Sequence, residues 1–243
     1  MPENFFDERV AERYDADAGD MFDPVILDPA VTFLAELAGS GRALELGIGT
    51  GRVALPLQQQ GVEVHGIDLS PAMIRRLRSK PGGGAIAVTV GDFAMAKAEG
   101  KFALAYLVFN TIMNLVTQDE QIACFKNVAA HLEPGGSFVV EVVVPELQRL
   151  PPGETVRAFT VTPSRLGFDE IDVVTQTGTS RHYLIDGDRV RVFAVPFRYV
   201  WPSELDLMAR LAGLTRSERW SDWTRRPFTA HSSQHVSVWR KDG

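Results

Sequence analysis

Between residues 42 and 144, short apolar runs alternate with stretches of helical periodicity. RALEL (42–46), VEVHGI (62–67), AIAVTV (85–90), FALAYLVF (102–109) and SFVVEVVV (137–144) read as five strands. The fourth and fifth are continuous apolar runs, the pattern of strands buried on both faces. Helices fill the gaps. In DPVILDPAVTFLAELAG (23–39), Leu27, Val31, Leu34 and Ala38 share one face, with Asp28 as the cap, Pro29 in the first turn and Gly39 at the end. A helix from about Gly51 to Gln60 starts irregularly because of Pro56. Ser70-Pro71 opens another, and Thr117 with Glu120 forms a capping box for a third that turns Ile122, Phe125, Ala129 and Leu132 inward. Strand–helix–strand repetition predicts a parallel sheet covered on both faces, with ligands at the carboxyl ends of its strands.

From residue 151 the pattern changes. Polar–apolar stretches follow one another without helical periods, and Asp186-Gly187 marks a hairpin turn. Residues 151–200 therefore read as an antiparallel insertion of three or four strands. A helix capped by Ser203 runs to Gly213, and two strands near 215–221 and 235–240 complete the first sheet. The expected organisation is an N-terminal lid segment (1–23), a main domain (24–150 and 201–243) and the insertion (151–200).

Composition narrows the partners. The 243 residues carry a formal charge of −6, which disfavours nucleic acid, and no apolar run reaches the length of a membrane span. Cys124 is the single cysteine, so no intrachain disulfide and no thiolate metal cluster is expected. The acidic N-terminus lacks a secretory pattern, and a cytoplasmic location is expected.

The chemistry concentrates in LELGIGTGR, where Gly47, Gly49 and Gly51 follow a strand and precede a helix. Such a turn lets bare backbone approach a ligand and aims N–H groups at it. Arg52 stands where a dinucleotide fingerprint requires its third glycine, which counts against a nicotinamide-dependent oxidoreductase. Asp68, ending the second strand, is suited to accept two hydroxyls of a ribose. ELGIGTG, GIDLS and GDF follow in order at strand ends, and LEPGG stands before the fifth strand. Together they resemble the successive motifs of class I S-adenosylmethionine-dependent methyltransferases over residues 14–144, with 203–240 completing the topology. The resemblance implies an α/β, Rossmann-like seven-stranded methyltransferase sheet, mostly parallel with the last strand antiparallel, carrying an antiparallel β insertion.

By the same resemblance S-adenosylmethionine is the cofactor. Gly47, Gly49 and Gly51 would line its methionine moiety, with Glu45 near the ammonium and Asp68 on the ribose. Leu69 and Met73 would pack on the adenine, Asp92 would accept from its amino group, and Phe93 and Phe109 would complete the cofactor site. Tyr14, in ERYD, corresponds to an N-terminal tyrosine that lies over the cofactor in sugar N-methyltransferases of natural-product pathways. Those enzymes carry a histidine where this chain has Asn114.

Acceptor residues are expected at the same sheet edge. Asn110 and Asn114 follow the fourth strand, and Trp223, Arg225, Arg226 and His231 lie in the loop joining the last two strands. Tyr14, Asn114 and His231 are the catalytic candidates, with His231 in the place of the missing base. Asn110, Asn114, Trp223 and Arg225 are the acceptor contacts, and no metal is expected. The reading is methyl transfer to an O or N atom of a small molecule. A non-catalytic cofactor-binding protein is the other alternative. The insertion either covers the pocket or pairs with its copy in a homodimer.

Overall fold

The computed structural model describes residues 6–17 and 19–243; residues 1–5 and 18 of the expected N-terminal segment lie outside it. Helix α1 (Glu8–Asp17) and α2 (Pro24–Ala38) precede an alternating run. It comprises β1 (Ala43–Leu46), α3 (Ala54–Gln59), β2 (Val64–Asp68), α4 (Pro71–Arg78), β3 (Ala87–Val90), β4 (Phe102–Leu107), α5 (Gln118–His131) and β5 (Leu132–Val143). Four strands follow, β6 (Val156–Thr162), β7 (Arg165–Asp172), β8 (Thr177–Asp186) and β9 (Arg189–Arg198). Helix α6 (Pro202–Leu211), β10 (Leu214–Trp220) and β11 (Gln234–Lys241) close the chain.

The main sheet has the order β10-β11-β5-β4-β1-β2-β3. Only β11 runs against its neighbours, while β5, β4, β1, β2 and β3 pair in parallel. This is the expected fold class. The order reverses at β1 and β4, so the turns leaving these two strands diverge and open a crevice at the carboxyl edge. Each face of the sheet carries its own apolar core. Phe125, Val128, Leu205 and Met208 of α5 and α6 pack on one face. Leu27, Val31, Phe33, Leu34 and Leu57 of α2 and α3 pack on the other.

Some boundaries differ from the sequence reading. Helix α2 starts five residues early, because Asp23-Pro24 carries the same signature as Asp28-Pro29. Asp23 accepts the Val25 N–H at 2.9 Å, and Pro29 lies inside the helix. Pro56 is the third residue of α3, where its missing N–H leaves no bond unmade. Pro202, not Ser203, opens α6, with Glu204 accepting the Trp201 N–H at 3.4 Å.

The insertion forms a separate antiparallel sheet in the order β6-β7-β8-β9. Asp186 pairs with Arg189 across a two-residue turn in which Gly187 has φ 57°, the hairpin expected from Asp-Gly. Among the four strands only Gly167 and Arg198 are buried. Arg198 roots the sheet to the main domain, donating to Gln121 at 2.5 Å and to the Glu204 carboxylate at 2.6 Å. Removing one member of a buried pair strands the other, at a cost of about 3–5 kcal/mol. Arg198→Leu is therefore expected to lower unfolding stability by about 3 kcal/mol in urea titration, and to expose β9 to proteolysis before the main sheet.

Candidate functional site

At the carboxyl edge, β1 ends in the glycine turn and β2 ends in Asp68. Gly47, Gly49 and Gly51 all adopt positive φ, at 69°, 55° and 79°, which is why no side chain is tolerated there. Their surroundings differ. A Cβ on Gly47 would stand 2.7 Å from Thr111 Cγ2 at the crevice, whereas one on Gly51 would meet Leu77 Cδ1 of α4 at 2.3 Å. Gly51 serves the packing of α4 as much as any ligand. The Asp68 carboxylate stitches the turns together, accepting the Gly49 N–H at 2.6 Å and the Ser70 N–H at 2.8 Å. Each oxygen keeps a second lone pair, enough for a diol.

A narrow cleft of about 40 Å³ lies over the turn, between Glu45, Gly47, Gly49, Arg52, Phe109, Thr111 and, from above, Tyr14 of α1. That volume is far below the ~300 Å³ of ordinary small-molecule sites. Glu45 is buried at its floor and accepts the Tyr106 hydroxyl at 3.0 Å from the neighbouring strand. Burial raises its pKa to about 8, against the Tyr106 hydrogen bond and nearby Arg52, which lower it. Burial likewise raises Tyr14 and Asp68 above their ordinary values.

Helix α1 is strapped down largely by charge. Asp15 accepts from Thr50 of the glycine turn at 2.6 Å and pairs with Lys80 at 2.8 Å; Glu8 pairs with Arg75. Ser70 donates to the Phe6 carbonyl at 2.5 Å. The apolar contact is small, with Ala11 against Ala72 and Met73 and with Phe6 and Tyr14 alongside.

A second cavity, of about 330 Å³, adjoins the first and shares Arg52 and Val108 with it. Its walls are Met21, Val25, Ile26, Pro29 and Ala30 on one side and Glu141, Asp222, Trp223, Thr224, Arg226 and Gln234 on the other. Burial opposes the charge on Asp222. The Thr224 hydroxyl and the N–H groups of Thr224 and Arg226 outweigh it and hold this carboxyl below its usual range.

The expected residues are thus only partly gathered. Tyr14, Glu45, Gly47, Gly49 and Phe109 line the cleft, and Trp223 lines the adjoining cavity. Phe93 is buried in the core within 3.9 Å of the Gly47 Cβ position. Asp92 accepts the Ala94 N–H at 2.9 Å. Met73 lies under α1, and Leu69 is half-buried beside Asp68.

The catalytic trio is not brought together. Asn114 is exposed at the end of the turn Thr111–Asn114, which spends its buried position on Ile112. His231 is exposed on the β10–β11 loop, where a turn bonds Ser232 N–H to the Thr229 carbonyl and faces outward. Neither lines either cavity. Arg225 turns to Glu36 at 2.6 Å over the ring of Phe33, and its neighbour Arg226 takes the cavity wall. Asn110 uses its carboxamide oxygen on Val143 N–H at 2.8 Å.

Sequence reasoning missed Thr111, Glu141 and Asp222, and treated Arg52 only as an obstacle to a dinucleotide. Glu141 did leave a signal. It is the one charge in the apolar run SFVVEVVV, where a carboxylate needs partners.

Fold and site together define a class I S-adenosylmethionine-dependent methyltransferase. Residues 43–136 match the family model described as a methyltransferase domain. The chain is 39% identical to the CcbJ methyltransferase from Streptomyces caelestis, covering 96% of each chain with a TM-score of 0.86. It is 28% identical over 246 residues, 96% of each, to a cypemycin N-terminal methyltransferase from a Streptomyces species. CalS10 from Micromonospora echinaspora, an amino pentose methyltransferase solved with S-adenosylmethionine bound, shares the fold at 22% identity and a TM-score of 0.67, over 98% of this chain and 99% of that one. The chain belongs to the methyltransferase family and transfers a methyl group from S-adenosylmethionine to a small-molecule acceptor. The oxidoreductase reading is set aside.

The carboxyl of Glu45 yields a pH test. Its folded-state pKa of about 8 lies above the ordinary 4.5, so the folded chain binds the extra proton between these values and stability declines as pH rises through that window. Glu45→Gln should flatten this decline in thermal unfolding. An ammonium brought against Glu45 would expel the proton. S-Adenosylhomocysteine affinity should therefore rise with pH towards about 8, with proton release in calorimetry, and both effects should vanish in the variant.

Proposed function

We propose that the acceptor is an amine-bearing small molecule and that the methyl group goes to nitrogen. The observation that carries this reading is the second cavity, with an apolar body and the Glu141 and Asp222 carboxylates in one wall, next to the cofactor cleft. Arg52 and Arg226 share this lining and balance the charge, but the two carboxylates can accept from amine N–H groups, and the apolar walls favour a ligand that combines hydrocarbon surface with such a nitrogen. The relative named for methylating an N-terminus points the same way.

In this reading Asp68 takes the ribose, Glu45 the ammonium, Asp92 the adenine edge, and Tyr14 covers the methionine end. The cofactor supplies an already activated methyl on a sulfonium. The chain's own residues then align the nitrogen behind that methyl and exclude water. A dedicated base is not required of an acceptor that enters as the free amine.

The same reading makes the described residues of the N-terminal segment, 6–17 and 19–23, a lid on the main domain, and the insertion its outer cover. Arg191 of β9 reaches Asp17 at the end of α1, at 3.8 Å, which favours a cover over a subunit contact. No helix among the described residues is long and apolar enough to cross a membrane, and a cytoplasmic location stays part of the proposal, as does the exclusion of nucleic acid by net charge.

Incubation with S-adenosylmethionine and matched pairs of amines and alcohols on the same apolar skeletons tests the acceptor atom. Mass spectrometry should find the methyl on nitrogen, and methyl found on oxygen would overturn the assignment. The lid makes a separate prediction. Because its straps are ionic, S-adenosylhomocysteine should dissociate several-fold faster as salt rises from about 0.05 to about 0.5 M, and Asp15→Ala should release it as fast at low salt.

A further inference from the structure

Two adjacent residues without the freedom of glycine, Phe109 and Asn110, hold left-handed backbone at φ 55° and 61°. Such conformations persist only where the surroundings enforce them, and they gather at functional sites. Here the end of β5 does the enforcing. Glu141 Oε2 accepts the Phe109 N–H at 2.9 Å, the Glu141 carbonyl accepts the Asn110 N–H at 3.2 Å, and Asn110 returns a bond to Val143 N–H at 2.8 Å. The bend this fixes presents the Phe109 ring, 42% exposed, to the cofactor cleft and beneath the Arg52 guanidinium at 5.4 Å.

The other Glu141 oxygen, Oε1, accepts the Trp223 indole N–H at 2.7 Å. That indole packs edge-on against Phe33 and forms part of the second cavity. One carboxylate thus holds a wall residue of each site through charge-assisted bonds, which are stronger than neutral ones. Glu141 itself lines the second cavity and not the cofactor cleft.

We infer that Glu141 is a positioning residue that sets the cofactor cleft and the acceptor cavity in register, acting on the cofactor through Phe109 and on the acceptor through Trp223. The inference rests on reading the two cavities as those sites. It assigns an effect on cofactor binding to a side chain outside the cofactor cleft, and predicts that this effect passes through one aromatic ring.

The test uses S-adenosylhomocysteine as the probe, by calorimetric titration of the full chain. Glu141→Gln keeps the shape of the side chain but has one acceptor oxygen for two N–H donors, and should weaken binding about tenfold. Phe109→Ala should weaken it as well, and the double variant no further than Phe109→Ala alone, since both act through the same ring. Trp223→Phe should leave cofactor affinity within about twofold of the parent chain while raising the acceptor KM. Should Glu141→Gln fail to fold by circular dichroism, Glu141→Asp retains the charge on a shorter stem and should show the same loss. Unchanged affinity in a folded Glu141 variant, or losses that simply add in the double variant, would overturn the inference. A parent chain that does not bind S-adenosylhomocysteine would instead sink the reading of the cleft.

Discussion

The architecture of the site depends on a single carboxylate at the end of β2. Asp68 binds the N–H of Gly49 on one side and of Ser70 on the other, so two turns that leave adjacent parallel strands are held at a fixed separation. Ser70 extends the link, accepting the Met73 N–H at the start of α4 and donating to Phe6 ahead of α1. Glycine turn, helix start and the segment leading into α1 are therefore connected through two residues, Asp68 and Ser70. Burial raises the pKa of the Asp68 carboxyl, against the two backbone donors, which lower it. The crossover at β1 and β4 makes the crevice possible, but Asp68 gives it a shape.

Around this knot the chain tolerates arrangements that would be selected against elsewhere. A carboxyl group is sealed at the floor of the cleft with a tyrosine hydroxyl as its partner. Two non-glycine residues occupy left-handed backbone. Both disfavour the folded state, against the stability of the two apolar cores that flank the sheet. Sites built for binding are commonly strained in this way, and the stability comes from packing elsewhere.

Most of the fold was legible in the sequence because β1, β2, β4 and β5 are apolar runs of strand length bounded by glycine and proline, and because caps such as Ser70 and Thr117 carry their own signature. The helix starts that shifted, at Asp23 and Pro202, are places where the same signature occurs twice or is replaced by a backbone bond to Glu204. The turns around the narrow cleft were similarly readable, since Glu45, Gly47, Gly49 and Asp68 follow one another along two strand ends. The second cavity was not. Its walls come from α2, β5 and the β10–β11 loop, and periodicity says nothing of where a loop side chain turns. Arg225 and Arg226 are neighbours in sequence, yet a positive φ at Arg225 sends one to α2 and leaves the other at the cavity.

The charged attachment of α1 has a thermal consequence. The helix buries Ala11, packs Tyr14 alongside it, and otherwise meets the domain through carboxylates, guanidinium groups and Lys80. Detaching it uncovers little apolar surface, and heat-capacity change follows apolar exposure. The balance between attached and detached α1 therefore varies gently with temperature, while the stability of the sheet and its two cores follows the strongly curved dependence of a hydrophobic interior. With α1 as the proposed lid, access to the cleft and integrity of the fold respond to temperature on separate scales, and cooling or warming the protein alters one far more than the other.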